Sequence, residues 1–147
     1  MCAEGPIAWY CKLQPTIAAS TTEAEIISAQ SCVMMVLSLR KIMEFLGFKQ
    51  QSPTIVREDN LGVIAISRDP MLYSKMKHMQ IKQSFIRDYQ EKGEVQLIYI
   101  ESVEQLADIL TKVLEPKLFV HLRDRIVVAS TDPAYQSEGD IDHDSLL

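Results

Sequence analysis

The sequence is poor in the patterns that mark disulfide-rich, zinc-binding and membrane proteins. Its three cysteines, Cys2, Cys11 and Cys32, are an odd number without C-x-x-C spacing, which argues against a disulfide framework and a zinc site. No uninterrupted apolar run of about 18 residues is present, so we expect neither a transmembrane helix nor a membrane partner. Glu4 and Pro6 interrupt the N-terminus where a signal peptide needs an apolar stretch, and we expect an intracellular protein.

The net charge of −5 comes from the C-terminal end of the chain. Five of the 20 acidic residues lie within Ser130–Leu147, which has no Lys or Arg, so the rest of the chain carries 15 acidic and 15 basic residues. This neutral body does not exclude a nucleic-acid partner. The length of 147 residues and the 47% apolar content predict one globular domain at residues 1–128. Residues 129–147 are predicted to be an acidic, disordered tail.

Hydrophobic periodicity predicts an α/β domain. Ile7–Cys11 is predicted to be a strand, and a long helix is predicted from the cap Ser20 to the stop Gly47. A β-branched strand, Thr54–Val56, leads into Glu58 and Asp59. The other predicted elements are a short helix at Leu61–Ser67, a helix at Lys75–Lys92, a strand at Glu94–Ile100, a helix from the cap Ser102 to about Leu114, and a last helix from Pro116 to about Val128. This alternation predicts a mixed α/β fold.

Periodicity also predicts which side of the long helix is buried. The predicted core stripe is Cys32, Met35, Val36, Leu39, Ile42, Met43 and Leu46.

Three carboxylates are candidates for a common site. Glu25 lies in the first turn of the long helix, on the side of its predicted apolar stripe. Asp59 follows a strand, where α/β sheets place site residues. Asp108 interrupts the apolar residues of the helix capped by Ser102. Clustered carboxylates would suit Mg²⁺ or Mn²⁺. From spacing alone, Glu25 and Asp108 could equally be helix-surface charges and Asp59 a turn former.

Five sequence blocks resemble the ribonuclease H domain of copia-type retrotransposon polyproteins. They follow in that family's order and spacing and cover about Gly5 to Val128. The blocks are Ser20-Thr21-Thr22-Glu23-Ala24-Glu25, Glu58-Asp59-Asn60 with Ala65-Ile66, Lys77-His78, Phe85-Ile86-Arg87-Asp88, and Gln105-Leu106-Ala107-Asp108-Ile109-Leu110-Thr111-Lys112.

The resemblance implies a ribonuclease H-like domain whose mixed sheet is flanked by helices. Such a domain hydrolyses the RNA strand of an RNA–DNA hybrid. Glu25, Asp59 and Asp108 match three of the family's four acidic residues, which hold two Mg²⁺ (or Mn²⁺) ions. Glu23 is better interpreted as the capping-box partner of Ser20 than as a ligand. The implied partners are the hybrid and the reverse transcriptase portion of the same polyprotein.

The family's fourth acid has no counterpart in this sequence. The resemblance places it on a first strand upstream of Ile7, so we expect the fold to lack its first strand and most of its second. The predicted strand Ile7–Cys11 would then have no natural neighbour, and unpaired backbone groups cost about 1–3 kcal/mol each. We therefore expect an unstable or aggregating chain, inactive alone. Further departures from the family pattern are Ile26, Tyr73, Gln80, Ser84 and Val113.

A basic group supplies the candidate contacts to nucleic acid. The phosphates of a hybrid would be bound, with salt-sensitive affinity, by Lys75, Lys77, His78 and Lys82. Alternatively, these four residues would form a solvated helix face. Three hypotheses follow: a ribonuclease H module of a larger polyprotein, a non-catalytic remnant that weakly binds protein or nucleic acid, and a decayed reading frame without a cellular role.

Overall fold

The computed structural model describes residues 6–14, 18, 20–69 and 77–126. The chain forms two compact units. The main unit is residues 13–105, and the terminal unit combines residues 1–12 with residues 106–147. The fold is a mixed α/β arrangement with a small parallel sheet, as the alternation of elements predicts. The predicted tail at 129–147 lies outside the described residues.

The main unit places three helices around two strands. Its helices and strands are α1 (Thr21–Phe45), β1 (Thr54–Glu58), α2 (Leu61–Arg68), α3 (Lys77–Glu91) and β2 (Val95–Tyr99). α1 packs against α2, α3 and β1, whereas α2 and α3 also pack against β2. Five predicted elements are therefore confirmed, with boundaries that differ by a few residues at most.

Local signals in the sequence fix the ends of these elements. Ser20 is the N-cap of α1, and its hydroxyl accepts a hydrogen bond from the Glu23 N–H at 3.1 Å, which confirms the predicted cap. Asn60 caps α2 by accepting from the N–H groups of Gly62 and Val63. Gly47 and Gly93 follow α1 and α3 with φ of +87° and +70°, a conformation that favours glycine.

The buried side of α1 is not the predicted one. The residues that enter the core are Ile26, Ala29, Val33 and Leu37, packed with Val56, Val63, Ile64, Met79, Ile86, Val95 and Leu97. The predicted stripe fails because Cys32 and Ile42 are exposed and Met35, Val36, Leu39 and Met43 are only half-buried. α1 is apolar on several sides, so periodicity could not decide which side faces the sheet.

β1 and β2 form a two-stranded parallel sheet in which Thr54 lies opposite Val95 and Glu58 opposite Tyr99. The Thr54 N–H donates to the Glu94 carbonyl at 2.9 Å, and the Ile100 N–H donates to the Glu58 carbonyl at 3.0 Å. Parallel pairing alternates along a strand, so the backbone groups of Ile55 and Arg57 face away from β2. Among the described residues, no strand pairs with this outer edge of β1.

Side-chain amides cap both edges of the sheet, but with unequal bonds. At the β2 edge, the Gln90 Oε1 atom accepts from the Leu97 N–H at 3.0 Å, and its Nε2 atom donates to the Ser67 carbonyl at 3.1 Å. At the β1 edge, the Gln105 Nε2 atom donates to the Arg57 carbonyl over 3.4 Å in an exposed position. The amide bond at the β2 edge is therefore the shorter one, and the β1 edge has only a longer, exposed bond among those described. We call the β1 edge open in this sense.

Two predicted elements are wrong. Residues 6–14 form no strand, and Ile7, Trp9 and Tyr10 are exposed, because an isolated strand without a neighbour leaves its backbone groups unpaired. The helix predicted from Ser102 to about Leu114 is replaced by two short 3₁₀ helices, Ser102–Glu104 and Leu106–Leu110. Gln105 lies three residues after the predicted cap Ser102, where it could complete a capping box, but its side chain bonds to the Arg57 carbonyl instead.

The terminal unit contains the 3₁₀ helix Leu106–Leu110, which packs against α4 (Pro116–Ile126). Leu122 of α4 is fully buried. Pro116 opens α4 as predicted, and the described part of the helix ends at Ile126. The predicted end at about Val128 lies outside the described residues.

α1 is long and apolar enough to cross a membrane, judged by length and composition only. It has few charges, although its apolar run is interrupted by Ser and Gln. The side of α1 that carries Ile26 and Val33 nevertheless packs into the core of the main unit, as in the central helix of a folded domain.

The buried side of α1 can be tested by truncating one residue on each side. Leu37→Ala should lower the free energy of unfolding by about 2–5 kcal/mol, because the Leu37 side chain lies in the core. Met34→Ala, at a position that is 53% exposed, should change it by less than about 0.5 kcal/mol. Urea unfolding of both variants decides the question, and a larger loss at Met34 would contradict the assignment.

Candidate functional site

The turn between β1 and α2 holds the most constrained carboxylates of the main unit. Asp59 follows β1 directly and is half-buried. The Glu58 carboxylate accepts the Asn60 N–H at 3.1 Å, and the Asn60 side chain caps α2. The residues on both sides of Asp59 are therefore hydrogen-bonded, which fixes the backbone from which Asp59 extends.

Glu58 shows that three carboxylates lie close together. Its side chain shares the buried side of β1 with Val56, and the residue is 5% exposed. Burial, followed by the negative charges of Glu25 and Asp59, raises the pKa of Glu58 from 4.5 to about 7, although the N–H of Asn60 lowers it. The negative charges of Glu25 on α1 and Asp59 after β1 therefore both act on the Glu58 carboxyl group. The common metal site expected for Glu25 and Asp59 stays a prediction.

Cys32 lies in the same neighbourhood, two turns after Glu25 on α1. The residue keeps solvent access, yet burial of the thiol, followed by the negative charge of Glu58, raises the pKa of Cys32. The raised pKa favours the neutral form of the thiol.

Sequence reasoning assigned no role to Glu58. The signal was available, because the period-2 alternation of a strand puts Glu58 on the same side as Val56, next to the core. A carboxylate on that side is rare unless a partner offsets its charge.

Asp108 belongs to the terminal unit and lies in the 3₁₀ helix Leu106–Leu110. Its Oδ2 atom accepts from the Lys112 ammonium at 2.8 Å, and its side chain is 13% exposed. Its backbone carbonyl accepts from the N–H groups of Thr111 and Lys112. The predicted convergence of Asp108 with Glu25 and Asp59 stays a prediction.

Within the described residues, no group of three or more His, Cys, Asp or Glu side chains is placed to hold a metal ion. Glu25 and Asp59 disfavour the charged form of Glu58, and a divalent cation would offset such a repulsion. Glu25 and Asp59 are the residues that would hold the ion, and this role stays a prediction.

The predicted basic group is described only in part. Lys75 lies outside the described residues, and Lys77 and His78 are described by their place in the first turn of α3. The Lys82 ammonium donates to the Gln30 Oε1 atom at 2.9 Å, which holds Lys82 against α1.

Comparison with known proteins shows similarity to polyproteins of mobile elements. The chain is 30% identical over 129 residues to the retrovirus-related Pol polyproteins from transposons RE1 and RE2 of Arabidopsis thaliana. It is 32% identical over 115 residues to the one from transposon TNT 1-94 of Nicotiana tabacum. These matches cover 88%, 88% and 78% of the chain but 9% of the length of each relative. No protein-family model matches the chain, and no solved structure matches it.

The stability of the protein should depend on pH through Glu58. A carboxyl whose pKa is raised on folding stabilises the fold below its unfolded pKa, and this stability is lost as pH rises through the folded value of about 7. Glu58→Gln cannot ionise, so its stability relative to the native chain should rise between pH 4.5 and 8, by at most about 3 kcal/mol.

Urea unfolding at several pH values measures this difference. Glu101→Gln, which removes an exposed carboxylate, is the matched control. A loss of stability in Glu58→Gln that stays constant, or grows, with rising pH would contradict the assignment.

Proposed function

The chain belongs to the retrovirus-related Pol polyproteins of copia-type retrotransposons, and on that premise we propose that it derives from their ribonuclease H domain. The proposed activity is metal-dependent hydrolysis of the RNA strand of an RNA–DNA hybrid. We expect it from a complete domain and not from this chain alone, because the strand that carries the fourth acid has no counterpart in this sequence.

The convergence of Glu25 and Asp59 on Glu58 is the observation that carries the proposal. These residues lie 34 positions apart on different elements, and both act on one buried carboxyl group. Surface charges on a helix and in a turn would have no reason to meet in this way. The same two residues match metal ligands in the family that the sequence resembles.

Each side chain has a part in the proposed chemistry. Glu25, Asp59 and Asp108 would hold two Mg²⁺ or Mn²⁺ ions in the complete domain, and such ions stabilise the attacking and leaving oxygens of a phosphodiester displacement. The rigid turn around Asn60 holds Asp59 in place for this role. With a pKa of about 7, Glu58 would be partly protonated near neutral pH and so would add less repulsion to the site than a fully ionised carboxylate.

Substrate contact is proposed for the basic group at the start of α3. Lys75, Lys77, His78 and Lys82 would face the phosphates of the hybrid, with Lys82 oriented by Gln30. Phosphate contacts of this kind weaken as the salt concentration rises. The reverse transcriptase portion of the polyprotein is the proposed protein partner.

A second candidate function is a non-catalytic remnant that binds nucleic acid or protein weakly. It is favoured by the finding that the described residues contain no group of three metal-ligating side chains. Binding through phosphates alone would require the basic residues. Its affinity would not change when the carboxylates are replaced.

Cleavage of a labelled RNA–DNA hybrid tests the enzymatic proposal. A chimera would carry, ahead of Met1, the corresponding upstream segment of the Arabidopsis RE1 polyprotein. It should cleave the RNA strand with Mg²⁺ or Mn²⁺, whereas the chain alone should not. Asp59→Asn in the chimera should abolish cleavage, while Asp124→Asn, which removes an exposed carboxylate from α4, should leave it unchanged.

Two results would count against the enzymatic proposal. A folded chimera that does not cleave, but binds the hybrid equally well with Asp59→Asn, would favour the binding remnant. Metal-dependent cleavage by the chain alone would show that the site is complete without the upstream segment. In the binding assay, Lys82→Ala should weaken hybrid binding and Lys117→Ala on α4 should serve as its control.

A further inference from the structure

The outer edge of β1 offers unsatisfied backbone groups to a partner. The N–H and C=O of Ile55 and the N–H of Arg57 face away from β2, and no strand covers them among the described residues. The described contact at this edge is the 3.4 Å bond from Gln105 to the Arg57 carbonyl. An open edge of this kind is a template for pairing with another extended segment.

The same chain carries a segment with a strand-like sequence that forms no strand. We define the N-terminal segment as Ile7–Lys12, which contains the residues predicted to form a strand. Ile7, Trp9 and Tyr10 are 53%, 73% and 57% exposed, although their β-branched and aromatic side chains favour strands. The segment belongs to the terminal unit, where the Cys11 thiol donates to the Leu110 carbonyl at 3.3 Å.

Length and charge match the N-terminal segment to the β1 edge. The segment has six residues and β1 has five. Parallel pairing would put Lys12 at the carboxyl end of β1, beside Asp59 and the neighbouring Glu25. Antiparallel pairing would put Ile7 there and leave those charges unmatched. Complementary charge therefore selects the parallel alignment.

We propose that the N-terminal segment of one copy adds to the β1 edge of a second copy in parallel. The entering strand would displace the long Gln105 bond. At the β2 edge, the Gln90 side chain already occupies the Leu97 N–H, which favours the β1 edge for this pairing. This self-association does not depend on the proposed ribonuclease H ancestry.

Two proline variants separate the two halves of the proposed contact. Trp9→Pro removes a donor from the N-terminal segment but leaves the β1 edge intact. Ile55→Pro removes an outward-facing N–H of β1, so no bond to β2 is lost, and leaves the segment intact. Light scattering should detect self-association in the native chain. Each variant alone should lose this self-association, and their mixture should recover a 1:1 complex.

Fluorescence identifies the contact directly. Trp9 is the sole tryptophan of the chain, so in the mixture all tryptophan emission comes from the Ile55→Pro partner and should shift to shorter wavelength as Trp9 becomes buried. A synthetic peptide of residues 6–13 added to Trp9→Pro should show the same shift, and a peptide with Tyr10→Pro should not. This peptide arm is independent of the folding of Ile55→Pro.

Three outcomes would overturn the proposal. The first is a Trp9→Pro variant that self-associates as readily as the native chain. The second is a peptide emission that does not move on addition of Trp9→Pro. The third is a native chain that stays monomeric while its Ile55 amide is protected from hydrogen exchange, which would show that the segment pairs within its own chain.

Discussion

Backbone hydrogen bonding at the edges of the two-stranded sheet is the constraint on which the main unit depends. A parallel pair uses half of the backbone groups of each strand and leaves the other half to be satisfied elsewhere. At β2 the Gln90 amide satisfies the Leu97 N–H and links β2 to the end of α2. At β1, no strand among the described residues pairs with the outward backbone groups of Ile55 and Arg57. The two edges of the sheet therefore differ in their hydrogen bonding.

Burial explains the unusual state of the Glu58 carboxyl. α1 packs against β1, and the core side of β1 removes Glu58 from water. Burial, followed by the negative charges of Glu25 and Asp59, raises the pKa of Glu58. The candidate site is thus one buried carboxyl with two charged neighbours, in a chain that spans 9% of the length of its Pol polyprotein relatives.

Local signals in the sequence predicted the elements well, and long-range pairing accounts for the errors. Ser20, Gly47 and Gly93 act within one turn of the chain, so their effects could be recognised without the fold. A strand at Ile7–Cys11 requires a neighbouring strand to pair with. A helix that begins after Ser102 requires the Gln105 side chain to complete the capping box, but this side chain bonds to the Arg57 carbonyl. Of the candidate site, Glu25 and Asp59 were predicted, and their shared role stays a prediction. Glu58 was missed, although strand alternation places it on the buried side of β1 with Val56.

Amide hydrogen exchange along β1, at a concentration where the chain is monomeric, tests the open edge most directly. The N–H groups of Val56 and Glu58 face β2 and should exchange slowly. Those of Ile55 and Arg57 face outward and should exchange much faster. Alternating protection of this kind would confirm that the outer edge of β1 is not covered by another strand. Equal protection of all four amides in the monomer would show that this edge is already covered and would contradict the account.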